Sequence, residues 1–372
     1  MIGDPEVVRA VATVLVLALA RPAVALAQDP VPDSARASAA SAPLFASDQP
    51  LQLTIEAPFS SILKERGSNP KEYPGKVTVH QAGETPVVLD VEIQTRGKAR
   101  LSRQICEFPP LRLDFPRTRV ESTVLAGQDR LKLVTHCQDG RAEYEQYVLQ
   151  EYLVYRVFNL LTDLSFLARL VRGTYVDTDA KRDTVTRYGF LIESDEMLGI
   201  RTGGGEPLHV PAVPPAWADA QYLALVGVFQ YLIGNPDWSA FARAANEDEC
   251  CHNTIPIGSP AGPVFPVPYD FDITGIVNPR YADRLFGPET RNLGIHRVRD
   301  RVYRGLCVSA VYLPSVFAKL NERREAIYAL YAGLADLDPR VLKDTREYLD
   351  QFYETINDPK AVEWELHGRC RG

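Results

Sequence analysis

The chain lacks the short motifs that most often announce a chemistry. It has no G-x-G-x-x-G, no G-x-x-x-x-G-K-[ST], no G-x-S-x-G and no H-E-x-x-H. Those absences remove the glycine-rich phosphate cradles, the serine-hydrolase elbow and the zinc-protease helix. Cysteine is scarce, six residues with no C-x-x-C pair, so zinc-ribbon spacing is excluded. Positive charge is short too: 41 Lys and Arg face 48 Asp and Glu, a formal net charge of −7. Nucleic acid and anionic membrane both demand a basic surface, so neither is expected as the main partner.

Membrane-spanning length is also missing. The apolar run Ala10 to Ala20 has eleven residues, whereas a bilayer core of ~30 Å needs about 20. It fits the centre of an export signal over 1–27, with Ala25-Leu26-Ala27 as the small-x-small site before Gln28. Asp4, Glu6 and Arg21 depart from the ideal signal. No transmembrane anchor is expected once that segment is removed. Export makes the cysteines candidates for disulfides. Cys106 and Cys137 lie in neighbouring strand-like segments and form the first expected pair, and the other four are left unassigned.

What is present is average for a globular protein, 45% hydrophobic and 24% charged over 372 residues, enough for one large or two ordinary domains. Residues 28–48, rich in Ala, Ser and Pro, read as a flexible leader. From 49 to 200 the pattern is mostly β: Leu51 to Ile55, Val77 to Ile93 with a turn at Ala82-Gly83-Glu84, Leu111 to Phe115 and Arg130 to Thr135 alternate. Tyr144 to Leu161 switches to helical spacing, and Leu167 to Val176 and Tyr188 to Ile192 return to strands. A Gly/Pro-rich crossover covers 201–216. Over 217–372 helices dominate: Tyr222 to Leu232, Ser309 to Ala332 with a break at Pro314, and Pro339 to Ile356 capped by Asp338. The expected fold class is α+β, a β-rich N-terminal lobe with one helix and a mainly helical C-terminal lobe. That plan is shared by kinase-like two-lobed folds and by other α+β proteins.

The chemistry gathers between Ile233 and Gly275. Asp237 follows Asn235-Pro236 at the end of an apolar run, where it is either a catalytic acid positioning an acceptor hydroxyl or the acid of an Asx turn. Asn253 follows His252 and opens a β-branched piece; its amide oxygen suits magnesium, or bonds its own loop. His252 is a candidate ligand or a hydrogen-bonding residue. In Tyr269-Asp270-Phe271-Asp272 two carboxylates sit two apart, pointing the same way if the strand continues and diverging if it turns. Both are candidate metal ligands. For the phosphates, Lys132 sits on a strand just before the long helix. Kinase logic pairs such a lysine with a helix glutamate, Glu145 or the more central Glu151; the alternative is a solvent-facing lysine. Arg96, in Arg96-Gly97-Lys98, is the second basic candidate. Arg297, Arg299, Arg301 and Arg304 form either an acidic-substrate site or a solvated face.

These residues resemble the spore coat protein H (CotH) family of atypical protein kinases, from about Val91 to Ala332. Thr95-Arg96-Gly97 resembles its Arg-Gly turn, and Leu131 to Thr135 before a long helix its strand-then-helix segment. Gly189 to Glu193 resembles its strand ending in glutamate. Asp237, His252-Asn253 and Pro268 to Asp272 resemble the catalytic acid, the asparagine and the metal-binding acid. HipA-type kinases are similar more distantly. The resemblance implies ATP with Mg (or Mn) as cofactors, Asp237 as catalytic acid, Asn253 and Asp270 as ligands with Asp272 beside them, and a protein or small-molecule acceptor. Asp237 and Asn253 stand further apart than the roughly five residues of kinases, and the extra piece, Phe241 to Cys251, reads as a stapled insertion. The resulting expectation is an exported kinase-like phosphotransferase. An inactive pseudokinase acting as a scaffold and a metal-dependent hydrolase are the rival readings.

Overall fold

The computed structural model describes residues 31–372 apart from Ala82, Asn246, Pro260 and Ala261. The expected signal segment and Ala82, the first residue of the expected 82–84 turn, therefore lie outside the described residues. The strands are β1 (Leu51–Ala57), β2 (Tyr73–His80), β3 (Val87–Thr95), β4 (Leu111–Asp114), β5 (Arg130–Val134), β6 (Ala168–Asp177), β7 (Val185–Ile192), β8 (Thr254–Gly258) and β9 (Val264–Pro268). The helices are α1 (Asp33–Ala40), α2 (Phe59–Ile62), α3 (Arg117–Val120), α4 (Ala142–Leu161), α5 (Asp195–Thr202), α6 (Ala220–Ile233), α7 (Pro288–Asn292), α8 (Leu313–Gly333), α9 (Pro339–Asn357) and α10 (Pro359–Glu365).

The kinase-like two-lobed expectation is overturned. The first seven strands close into a barrel in the order β1-β2-β3-β4-β5-β7-β6. Neighbours run antiparallel except β1 and β6, whose parallel ladder from Leu51↔Val171 to Ala57↔Asp177 seals the barrel. A closed mixed barrel is not the sheet of a kinase-like lobe. The physical reason lies in the faces. Leu51, Leu53, Ile55 and Ala57 alternate with more exposed neighbours on β1, and closure covers that apolar face while leaving neither outer strand with an open edge. Leu53, Ile55, Val77, Val91, Ile93, Leu113, Leu133 and Leu191 are among the buried residues of that core.

The second core belongs to the helices and is centred on α4 and α6. Phe158 and Phe229 stack at 4.3 Å between centroids, and α4 also packs against β6, β7 and α8. Twelve of its residues, among them Glu151 and Tyr155, are buried, which explains the weak amphipathic signal of a helix covered on several sides. Pro314 does not break a helix pair. It sits in the first turn of α8, where its missing N–H costs nothing. Asp338 caps α9 through the Arg340 N–H at 2.7 Å, as expected. The leader is not structureless throughout: α1 packs on α5, and Leu44 is fully buried. Among the described residues no helix is long and apolar enough to cross a membrane.

At the barrel rim the Asp177 carboxylate accepts from the Ser60 N–H at 3.0 Å, the Ser60 hydroxyl at 2.6 Å and the Lys181 N–H at 3.0 Å. Burial opposes its charge, but these donors hold its pKa down to about 2. A depressed carboxylate contributes stability above its unfolded pKa and loses it as the pH falls through the folded value. Asp177→Asn is expected to cost about 1–2 kcal/mol at neutral pH, allowing for screening at the rim, and to flatten the acid loss between about pH 4 and 2. Unfolding followed against pH checks it; equal slopes for both proteins in that window would remove the assignment.

Candidate functional site

α6 ends at Ile233 on Gly234, whose left-handed φ of 63° caps the helix. The close approach of two chain segments explains that glycine and Gly275. The Gly275 N–H donates to the Gly234 carbonyl at 3.0 Å, and the buried Tyr348 hydroxyl lies against both glycines. A Cβ on Gly234 would stand 2.0 Å from that oxygen. The hydroxyl has no hydrogen-bond partner among the described residues, so its removal is cheap. Gly234→Ala is expected to cost about 2–3 kcal/mol in overpacking and backbone strain. Adding Tyr348→Phe should recover roughly half, as read from urea midpoints; no recovery would mean that the hydroxyl is not the obstacle.

Beyond Gly234 the loop turns on Asn235, whose Oδ1 accepts from the Asp237 N–H at 2.8 Å. The Asx turn is made by the Asn235 side chain, not by the Asp237 carboxylate, which is left to other partners. His252 Nε2 bonds one carboxylate oxygen at 2.8 Å, and Asn253 Nδ2 donates to the Asp237 carbonyl at 2.6 Å and to the other oxygen at 3.2 Å. The second His252 nitrogen meets Glu247 at 3.1 Å. Asp237 first, and then Glu247, hold the imidazole up to about 9 against the effect of burial. At neutral pH it is an imidazolium, a clamp on Asp237 rather than a metal ligand.

The hairpin β8–β9 brings in the other half. Asn253 at a φ of 52° precedes β8, and Asp270 at 61° follows β9, so the chain turns at Asp270. The Tyr269 N–H donates to the Asn253 carbonyl at 3.0 Å, joining the two ends. Phe271 is fully buried against Tyr155 and Phe229, and Tyr155 on α4 accepts the Asp270 N–H at 2.9 Å. Despite the turn, Asp270 and Asp272 meet at one partner. Arg100 reaches Asp270 at 2.7 Å, Asp272 at 3.3 Å and Glu151 at 3.1 Å.

Arg100 is the residue that sequence reasoning missed. It lies in a 3₁₀ turn, Ala99–Leu101, after the Arg-Gly turn where Gly97 has a φ of 107°. It is buried, and three acidic side chains share it. Burial works against its charge, but Asp272, Glu151 and Asp270 outweigh it and keep the guanidinium firmly protonated. Burial pushes Glu151 and Asp272 upward in turn, opposed chiefly by Arg100. Asp272 also accepts from the Tyr281 hydroxyl at 3.0 Å, while Glu151 Oε1 is buried without a hydrogen-bond partner among the described residues.

One cleft of about 150 Å³ is lined by Asp237, Asn253, Asp270, Asp272, Arg96 and Arg100. Glu151 stands behind Arg100. Lys132 is the exception. It pairs with Asp195 at 2.6 Å, at the start of α5, and lies 5.4 Å from the centre of the Tyr269 ring. The expected Lys132–Glu151 pair is replaced by Arg100–Glu151. Glu145, the other candidate partner, is taken by Arg172 at 2.9 Å. The arginines after the site do not form a uniformly solvated face. Arg304 donates to the Pro236 carbonyl at 2.8 Å and Arg301 to that of Leu232 at 3.3 Å, bracing the loop that carries Asp237. A larger cavity, about 560 Å³, opens between α4, residues 276–283 and α9; Arg299 lines it, but none of Asp237, Asn253, Asp270 and Asp272 does.

The cysteines pair as Cys106–Cys137, Cys250–Cys251 and Cys307–Cys370. The first is the expected bridge. The second joins neighbours, so it does not staple the 241–251 piece to another segment. Among the described residues no three His, Cys, Asp or Glu side chains already converge as a metal cage. Compared with protein-family models, curated proteins and solved structures, the chain matches none.

Proposed function

We propose that the chain is an exported phosphotransferase that moves the γ-phosphoryl group of ATP, with Mg or Mn, to a hydroxyl of a protein or other acceptor. The observation that carries this reading is the acid gathered at Arg100: Asp270 and Asp272 share one cleft with Asp237 and Asn253, and Glu151 holds the guanidinium from behind. The donors are hard oxygens, which suit magnesium rather than a soft metal. Asn253 spends its amide nitrogen on Asp237, which leaves Oδ1 as an acceptor. By donor type and charge the residues fit a divalent cation; Asp270, Asp272 and Asn253 would hold it. When bound, the ion supplies neutralisation of phosphoryl charge.

The chain's own residues supply the rest. Asp237, clamped by His252 and Asn253, orients the acceptor hydroxyl and takes its proton. Arg100 and Arg96 offer positive charge to phosphoryl oxygens, and Glu151 holds Arg100 in place. A cleft of this size has room for an ion and a phosphoryl group, not a whole nucleotide. The paired cysteines support an oxidising compartment, and the similarity of the Asp237, Asn253 and Asp270 segments to CotH-type kinases supports the chemistry.

A second reading, an inactive binding protein, is favoured by one fact: Arg100 already contacts both Asp270 and Asp272. Incubation of the oxidised protein with labelled ATP and Mg or Mn separates the readings. Transfer of label to an acceptor or to the chain itself supports the first. Nucleotide binding without transfer supports the second. Metal-dependent hydrolysis that needs no nucleotide would assign a hydrolase, and no nucleotide binding at all sinks the proposal.

A further inference from the structure

A cleft of about 520 Å³ is walled by Lys64, Arg66, Arg103, Lys181 and Arg182, with Glu107 as the one acid in its lining. Five cations in one concavity run against a chain whose formal charge is −7. Their local neutralisation is thin. Arg182 pairs with Asp139, whereas Lys64, Arg66, Arg103 and Lys181 form no ion pair with a carboxylate among the described residues. The nearby Asp177 is spent on Ser60 and the Lys181 N–H.

The floor of the cleft is built rather than incidental. Arg66 donates to the carbonyls of Leu63 at 2.8 Å, Leu101 at 3.1 Å, Cys106 at 2.8 Å and Glu107 at 2.6 Å. Its guanidinium is thus fixed in plane by two chain segments without being discharged. Burial, and then the charges of Arg103 and Arg182, push its pKa down, as expected of cations held together without a counter-ion. The Cys106–Cys137 bridge anchors the segment that carries Arg103 and three of those carbonyls. The same segment presents Arg100 to the acidic cleft, so one loop parts two sites of opposite sign.

We infer that this cleft binds a compact soluble polyanion carrying several phosphate groups. The volume is that of a small-molecule site, and the Arg103 fork beside the point charges of Lys64 and Lys181 matches phosphate oxygens in several directions, with Arg66 adding charge rather than a free fork. A peptide adding as a strand has no place here, because the barrel offers no open edge. An anionic lipid surface would meet the repulsion of a chain with a net negative charge. The inference does not rest on the phosphotransfer reading.

The test uses inorganic tripolyphosphate in metal-free, nucleotide-free buffer, with binding read by calorimetry on the oxidised full chain. Tripolyphosphate should bind at one site at least about tenfold more tightly than orthophosphate. Arg103→Ser with Lys181→Ser, both exposed and free of structural side-chain bonds, should weaken it at least about tenfold, while Arg323→Ser on α8 should leave it unchanged. Equal binding by the double variant overturns the site. Equally tight binding of an acidic peptide overturns the phosphate preference, and sedimentation with phosphatidylglycerol vesicles overturns the free-ligand assignment. None of these readouts depends on Asp237 or on ATP turnover, so failure here and failure of the proposed activity are distinguishable.

Discussion

Asp270→Ala is expected to abolish phosphoryl transfer, lowering kcat/KM on the order of 10³-fold or more, and Asp237→Asn should lower it about 10²- to 10⁴-fold by a different route. The two are separated by their dependence on the metal. Asp270 is one of the acids gathered at Arg100, so its loss should raise the metal concentration needed for any residual turnover. Asp237 is held by His252 and Asn253 rather than by Arg100. Its amide replacement keeps the shape and loses the base, so the metal requirement should stay near wild type while kcat falls. Arg304→Met, which frees the Pro236 carbonyl, provides a control for loop disorder: it should disturb both KM and kcat. Transfer that survives Asp270→Ala and Asp237→Asn would end the phosphotransferase reading, and altered metal dependence in both would reassign Asp237 as a ligand.

The largest stability effect is expected at Arg100. Arg100→Met removes the one cation shared by Glu151, Asp270 and Asp272 and leaves Glu151 buried in the middle of α4 without a partner. Breaking a buried pair from one side costs about 3–5 kcal/mol, chiefly because the remaining charge is stranded. Combining it with Glu151→Leu should return more than half of that loss, because two apolar side chains of similar bulk then meet where two charges did. Urea midpoints at an unchanged slope measure both. A loss of under about 1 kcal/mol for the single variant would show that water reaches Glu151 and that the cluster is not closed.

Much of the local structure was readable from the order of residues. The helical spacing from Tyr144 to Leu161 marks α4 to within two residues at its start and at its last residue at the other end, and the alternation at Leu51 and Arg130 marks β1 and β5. The Asp237, Asn253 and Asp270 group was legible because all three fall within one short stretch joined by a hairpin. The barrel was not. Its closing ladder joins β1 to β6, and alternation tells which face is apolar but not which distant strand will cover it. Arg100 was hidden for a similar reason. Its partners lie 51 and 170 positions away, and nothing in Ala99 to Pro110 distinguishes a buried guanidinium from an exposed one. Lys132 misled because its position on β5 fits two partners; the turn into α5 brings Asp195 to it, while Glu151 faces Arg100 instead.

The parallel β1–β6 ladder also sets an order of events during synthesis. Leu51 leaves the ribosome early, but its partner Val171 follows only after β2 to β5 and the whole of α4. Until then β1 has one neighbour, β2, and an unpaired edge lined by alternating apolar residues. Such long-range parallel pairing is slow because the loop must close before any of its contacts reward it. An unclosed barrel is the aggregation-prone species on this path, and the time from the emergence of β1 to that of β6 is the interval in which a holding partner matters most.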